Sequence, residues 1–121
     1  MKRLLVLALL AGPAQAQEMA SAPGGVLRVL DKLSGVLVDL DLSRGEAKTN
    51  GRLSVQLDDC RYPVDDPASD AEAHLTINVS PFVDSVFSGW MVASSPALSA
   101  LDHPRYDVWV LRCDTPATAS P

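Results

Sequence analysis

The chain has 121 residues, enough for one domain and too few for two. Fifteen acidic residues stand against ten basic ones, a net charge of −5; such a surface repels phosphate backbones and anionic headgroups, which argues against a nucleic-acid partner. Only two histidines, His74 and His103, are present, and the two cysteines are expected to be oxidised, so a closed four-ligand zinc site is not expected.

Residues 1–16 have the order of a signal peptide. Lys2 and Arg3 form a basic start, residues 4–11 are apolar, Gly12 and Pro13 break the run, and Ala14-Gln15-Ala16 is a small-x-small cleavage site. Eight apolar residues span about 12 Å as a helix, against a bilayer core of about 30 Å. The expectation is therefore cleavage after Ala16 and release into the periplasm, with no stable membrane insertion. Loss of Lys2 and Arg3 with the leader leaves eight basic and fifteen acidic residues, a net charge of −7.

Residues 17–25 contain Ser21, Pro23, Gly24 and Gly25, the composition of a flexible lead-in to a single domain over residues 26–113. Residues 26–30 and 36–42 are β-favouring runs joined by a five-residue loop ending in Gly35, an ordinary hairpin connection. In the second run Val36, Val38, Leu40 and Leu42 share one face and Asp39 and Asp41 the other, the alternation of a strand packed on one side. After a polar turn over residues 43–51, Leu53, Val55 and Leu57 resume the period of two. Cys60 falls out of phase with them, which implies a bulge or the end of the strand.

Residues 58–73 read as an acidic surface loop, with Pro63, Pro67 and six carboxylates (Asp58, Asp59, Asp65, Asp66, Asp70, Glu72) against Arg61. Leu75, Ile77 and Val79 then alternate with His74, Thr76 and Asn78 until Pro81, and residues 86–93 read as a buried strand with a bend allowed at Gly89. Ser94-Ser95-Pro96 supplies a helix start, and Ala97, Leu98, Ala100 and Leu101 carry about two turns, with Leu98 and Leu101 directed into the core. Residues 106–113 are apolar on both faces (Tyr106, Val108, Val110; Trp109, Leu111, Cys113), as in a central strand. Residues 114–121 form a disordered tail. The expected fold is all-β: a small antiparallel β-sandwich or barrel of about six strands, with one short helix near residues 96–101.

Cys60 and Cys113 are an even count in a chain expected to be exported, which reads as a disulfide. Two buried thiols or an intermolecular bridge are the alternatives. The spacing has nothing of Cys-x-x-Cys, so exchange chemistry gains no support.

The stretch Leu27-Arg28-Val29-Leu30-Asp31-Lys32-Leu33-Ser34-Gly35, the blocks Phe87-Ser88-Gly89-Trp90-Met91 and Ala93-Ser94-Ser95-Pro96-Ala97-Leu98, then His103-Pro104 and Tyr106-Asp107-Val108-Trp109 to Cys113, resemble the family catalogued as domain of unknown function 2155. The resemblance covers about residues 26–113. It implies a small exported protein of alphaproteobacterial envelopes with no assigned activity.

Two kinds of site are available to such a chain. His103, beside Asp102 and with Ser88, Ser94, Ser95 and Tyr106 in the same third of the sequence, supplies the side-chain types of a hydrolytic triad, which needs a nucleophile beside its base and a third group orienting that base. No Gly-x-Ser-x-Gly elbow accompanies them. The carboxylates of residues 58–72 lack the spacing and central Gly of a calcium loop, so neither a metal nor a cofactor is expected. Five of the six aromatic residues lie beyond residue 80: Phe82, Phe87, Trp90, Tyr106 and Trp109. They either fill the core or anchor a partner; Tyr62, alone beside Cys60, is placed to cover a bridge. The resulting expectation is an exported, non-catalytic interaction domain that binds an envelope protein through Trp90, Ser94, Ser95, His103 and Tyr106, with the acidic loop and the helix-cap block as its surface. A small periplasmic hydrolase using His103, Asp102 and a nearby hydroxyl is the alternative.

Overall fold

The structure is a computed structural model describing residues 17–116; the leader and the last five residues of the tail lie outside the described residues. Eight strands follow one another: β1 (Met19–Ser21), β2 (Gly24–Asp31), β3 (Leu37–Ser43), β4 (Ala47–Asn50), β5 (Leu53–Pro63), β6 (Glu72–Val79), β7 (Phe87–Val92) and β8 (Tyr106–Cys113). All pairings are antiparallel. β5 is central to a five-stranded sheet, with β1 and β4 on one side of it and β6 then β7 on the other, while β3, β2 and β8 form a three-stranded sheet.

The alternating residues of the two sheets face one another and make the core. Leu53, Val55, Leu57, Ala73, Leu75, Ile77 and Met91 come from the larger sheet and Leu27, Val29, Leu40, Leu42, Val108 and Val110 from the smaller. The architecture is thus an antiparallel sandwich of eight strands rather than about six. The two additional strands, β1 and β4, are short, largely exposed edge pieces. Residues 17–25, expected as a flexible lead-in, instead carry β1, paired to Arg61, Tyr62 and Pro63; Ala22 is buried behind it and its N–H donates to the Cys60 carbonyl. Asp114 N–H likewise donates to the Gly24 carbonyl, and Thr115 is buried.

The expected helix is a single 3-10 turn, Pro96–Leu98, whose Ser95 cap makes no side-chain hydrogen bond. Residues 93–105 act instead as a strap from the end of β7 to the start of β8. Leu101 reaches the core, but Leu98 is 79% exposed.

Cys60 and Cys113 are bonded across the two sheets, with a Cα–Cα distance of 5.7 Å. A break in register brings each sulfur inward. In β5, Leu57 opposes Leu75 and Asp59 opposes His74, so Asp58 is an extra residue and the inward phase moves from odd to even positions in time for Cys60. In β8, Val110 opposes Leu27 and Arg112 opposes Val26, leaving Leu111 extra and turning Cys113 inward. The phase slip read at Cys60 is therefore a bulge within a continuing strand. Tyr62, just beyond it, packs partly buried against the core.

Gly25 passes directly behind the bridge. A Cβ there would lie 2.9 Å from the Cys60 Sγ and 2.9 Å from the Arg112 carbonyl oxygen. Gly25→Ala should therefore cost about 1–3 kcal/mol through overpacking, read as a lower urea midpoint with an unchanged slope.

Candidate functional site

Every second residue of β5, β6 and β7 points away from the core, and one row of these carries most of the chemistry. Asp59 opposes His74, which opposes Trp90, across three adjacent strands. The next row toward the bridge holds Arg61, Glu72 and Val92. The Arg61 guanidinium lies over the Trp90 ring at 4.0 Å from its centroid, a cation–π contact, and its Nη2 is 3.6 Å from Glu72 Oε2. The His74 ring meets Trp90 edge-on at 5.2 Å.

Asp58 owes its position to the bulge and ties the row together. Its Oδ2 accepts a hydrogen bond from Thr76 Oγ1 at 2.7 Å and lies 2.7 Å from His74 Nδ1. A carboxylate oxygen accepts, so the ring nitrogen donates, and in the neutral ring Nε2 is left as the acceptor. Trp90 is thereby gripped from two sides on the outer face of the larger sheet, where it is half-buried. Trp90 came from the sequence as a candidate anchor and Asp58 and Arg61 as members of the acidic loop; His74 and Thr76 did not come from it as binding residues.

The other expected site residues scatter. Ser94 begins the strap, where its N–H and Oγ both donate to the Asp70 carboxylate, at 3.1 and 2.8 Å. The acidic loop and the Ser94-Ser95 block therefore do meet, around a hollow of about 300 Å³ that Asp70, Ser94, Leu111 and Cys113 help to line. Ser94 is thus a tie to the loop rather than a helix cap. His103 and Tyr106 lie at the opposite end of the sandwich. Tyr106 is 1% exposed, so it belongs to the core and not to a partner surface; its hydroxyl accepts from the Arg52 N–H at 3.4 Å.

His103 stacks on Tyr106 at 5.5 Å, and its Nδ1 accepts from the Arg105 and Tyr106 N–H groups at 3.0 and 3.3 Å. A triad histidine needs Nδ1–H to donate to a carboxylate; here that nitrogen is an acceptor, and no hydrogen bond joins Asp102 to His103 among the described residues. The neighbouring carboxylate with a perturbed proton affinity is Asp31, held below the usual range by its hydrogen bond from Arg105. At the bridge end Asp114 is raised, by burial first and by Asp41 second. Among the described residues no three His, Cys, Asp or Glu side chains are placed to share a metal ion, and no helix is long and apolar enough to cross a membrane.

Residues 25–113 match the bacterial family described as "Uncharacterized protein conserved in bacteria (DUF2155)". The chain belongs to this family. It is also 28% identical over 99 residues to an uncharacterized protein of Rickettsia prowazekii (strain Madrid E), an alignment covering 79% of this chain and 64% of that relative. The chain thus spans just under two thirds of the relative's length. No solved structure matches. The DUF2155 match begins at Gly25 and ends at Cys113, and so takes in β2 from its second residue, β3 through β8, the bridge and the whole Trp90 row, while β1 lies outside it.

Proposed function

We propose that this DUF2155 protein is an exported, non-catalytic recognition domain of the bacterial envelope that binds an envelope protein through the outer face of its five-stranded sheet. The observation that carries this reading is Trp90, half-buried on the outer face of the five-stranded sheet and held there by Arg61 and by the Asp58–His74 pair. Large aromatic and Arg side chains fixed in this way are the residue types that dominate binding energy at interfaces. A cross-sheet disulfide suits an oxidising compartment, as does the order of charge, apolar run and small residues over residues 1–16.

Capture from envelope extracts with the wild-type protein and with Trp90→Ala tests it. Trp90→Ala should weaken retention of the partner by about 30-fold or more, the loss expected of a central anchor, with the far-ultraviolet spectrum and the disulfide unchanged. A partner held equally well by wild type and variant would remove recognition from this face.

A further inference from the structure

Eight large apolar side chains are exposed among the described residues, and six of them gather at one end of the sandwich. Leu33, Val36 and Leu37 crown the β2–β3 hairpin, while Phe82, Val83 and Val86 belong to the loop from β6 to β7. The two loops come from different sheets, and a chain of contacts ties them to the same end. Asp31, next to the hairpin tip, opposes Tyr106, whose hydroxyl accepts from the Arg52 N–H, and the Arg52 carbonyl accepts from the Ser80 N–H. The bridge lies at the other end, where β8 finishes at Cys113. Val83 is 93% exposed, Leu33 77% and Phe82 70%; these are the values of protruding tips and not of the lining of a groove. Neither tip is loose. The Val79 carbonyl accepts from the Phe82 N–H, the Val83 carbonyl accepts from Asn78 Nδ2, and in the hairpin the Asp31 carbonyl accepts from the Gly35 N–H.

Single apolar side chains are ordinary on a protein surface, but a set gathered on neighbouring loops marks a protein or a membrane contact. Shape and charge together favour the membrane. A protein partner would need two hollows matched to the spacing of the tips, whereas lipid chains close around tips at any spacing. The acidic excess of the chain also lies elsewhere: Asp59, Asp65, Asp66, Asp70 and Asp114 belong to the bridge end and the loop beside it. At the apolar end Asp31 is paired with Arg105 and Asp107 with Lys32. That leaves Asp84 and Asp102 against Arg52 as the charges there without an ion pair among the described residues. A bilayer containing anionic lipid therefore repels the bridge end and accepts the apolar one, which selects a single orientation. We propose that this apolar end rests on a phospholipid bilayer, with Leu33, Phe82 and Val83 entering the boundary between headgroups and acyl chains. The docking is shallow and needs no span, and no helix of the described residues is long and apolar enough to make one. The strands run from this end to the bridge end, so the five-stranded sheet stands upright on the membrane and Trp90 is presented sideways.

Co-sedimentation with vesicles tests this, using protein expressed as the full chain and purified after export, its N-terminus read by mass spectrometry. Vesicles of phosphatidylcholine, and of phosphatidylethanolamine with phosphatidylglycerol, should both retain it, and added salt should not release it, because the contact is apolar. Phe82→Ser with Val83→Ser should weaken retention by about tenfold or more, and so should Leu33→Ser with Leu37→Ser. All four side chains are exposed, so the fold and the bridge should survive these changes. Trp90→Ala should leave retention unchanged, which separates this docking from recognition by the sheet face. An environment-sensitive dye on Val83→Cys should shift to the blue on vesicles, and the same dye on Asp65→Cys at the bridge end should not. No retention by either kind of vesicle overturns the proposal, as does retention that both loop pairs leave intact or that salt abolishes. Without vesicle binding, a dimer dissolved by the loop variants would give this end to a second copy, and an envelope protein captured through the loops would give it to a protein partner. Either result overturns the proposal.

Discussion

Replacing both bridge cysteines, Cys60→Ala with Cys113→Ala, should lower the unfolding free energy by about 4 kcal/mol. The figure follows from the 53-residue separation that the bond closes, through the chain entropy it removes from the unfolded state. A domain of this size has about 5–15 kcal/mol in total, so the variant should be marginal at ambient temperature. The bond also joins β5 of one sheet to β8 of the other at the end where both chain termini enter the fold, so its loss leaves that end held by side-chain packing and single backbone bonds. Equilibrium urea unfolding gives the measurement: the variant's midpoint should fall well below that of the oxidised wild type, and wild type unfolded under reductant should approach it. A loss below about 1 kcal/mol would mean that the reduced chain keeps these two strands together when otherwise unfolded.

The bridge also marks where the sequence was readable and where it was not. Period-two alternation located β3, β6 and the first half of β5, and apolar β-favouring runs located β2, β7 and β8. The parity break at Cys60 was visible against that alternation. What followed it was not: β5 continues to Pro63, but the bulge and the run of carboxylates give residues 58–63 the texture of a loop. β1 and β4 escaped because strands of three and four residues, largely exposed, bury nothing periodic. The helix expectation failed on length. Apolar spacing at 98 and 101 fits a helical turn, but a strap crossing the side of a sandwich is held by its two ends, and a short helix gains too little to form against that constraint.

The candidate site shows the same division. That His74, Thr76 and Asn78 share the outward face of β6 is evident from parity, and Trp90 is evident as an aromatic in an apolar run. The contacts that make these residues a unit lie between strands: Asp58 reaches His74 sixteen positions away and Arg61 lies over Trp90. They depend on a register set by the bulge, which no local pattern specifies. Tyr106 misled for a related reason. As an aromatic it was read as a possible partner anchor, but it opens an inward-facing row whose other members, Val108 and Val110, are core.

The strap gives the second large expected effect, and a contrast within one segment. Leu101→Ala should cost about 2–5 kcal/mol, whereas Leu98→Ala should stay within about 0.5 kcal/mol. A two-turn helix would place both leucines on one buried face. The 3-10 turn instead ends at Leu98, which is left 79% exposed, and the chain beyond it dips so that Leu101 is 5% exposed. Leu101 is the one buried residue between Ser94 and Arg105, so it alone holds the middle of the strap against β8, where it borders the hollow lined by Pro96, Val108 and Trp109. Truncation enlarges a space that already opens to solvent. Water entry should therefore keep the cost in the lower half of the range, since part of the void is refilled. Unfolding in urea gives the two costs. Amide exchange separates their origins: in Leu101→Ala the strap amides should exchange faster by a larger factor than those of β5 and β6, because the strap loses its anchor before the sandwich opens. Equal costs for the two leucines would mean that the strap packs through Leu98 as well, as the two-turn helix would have it.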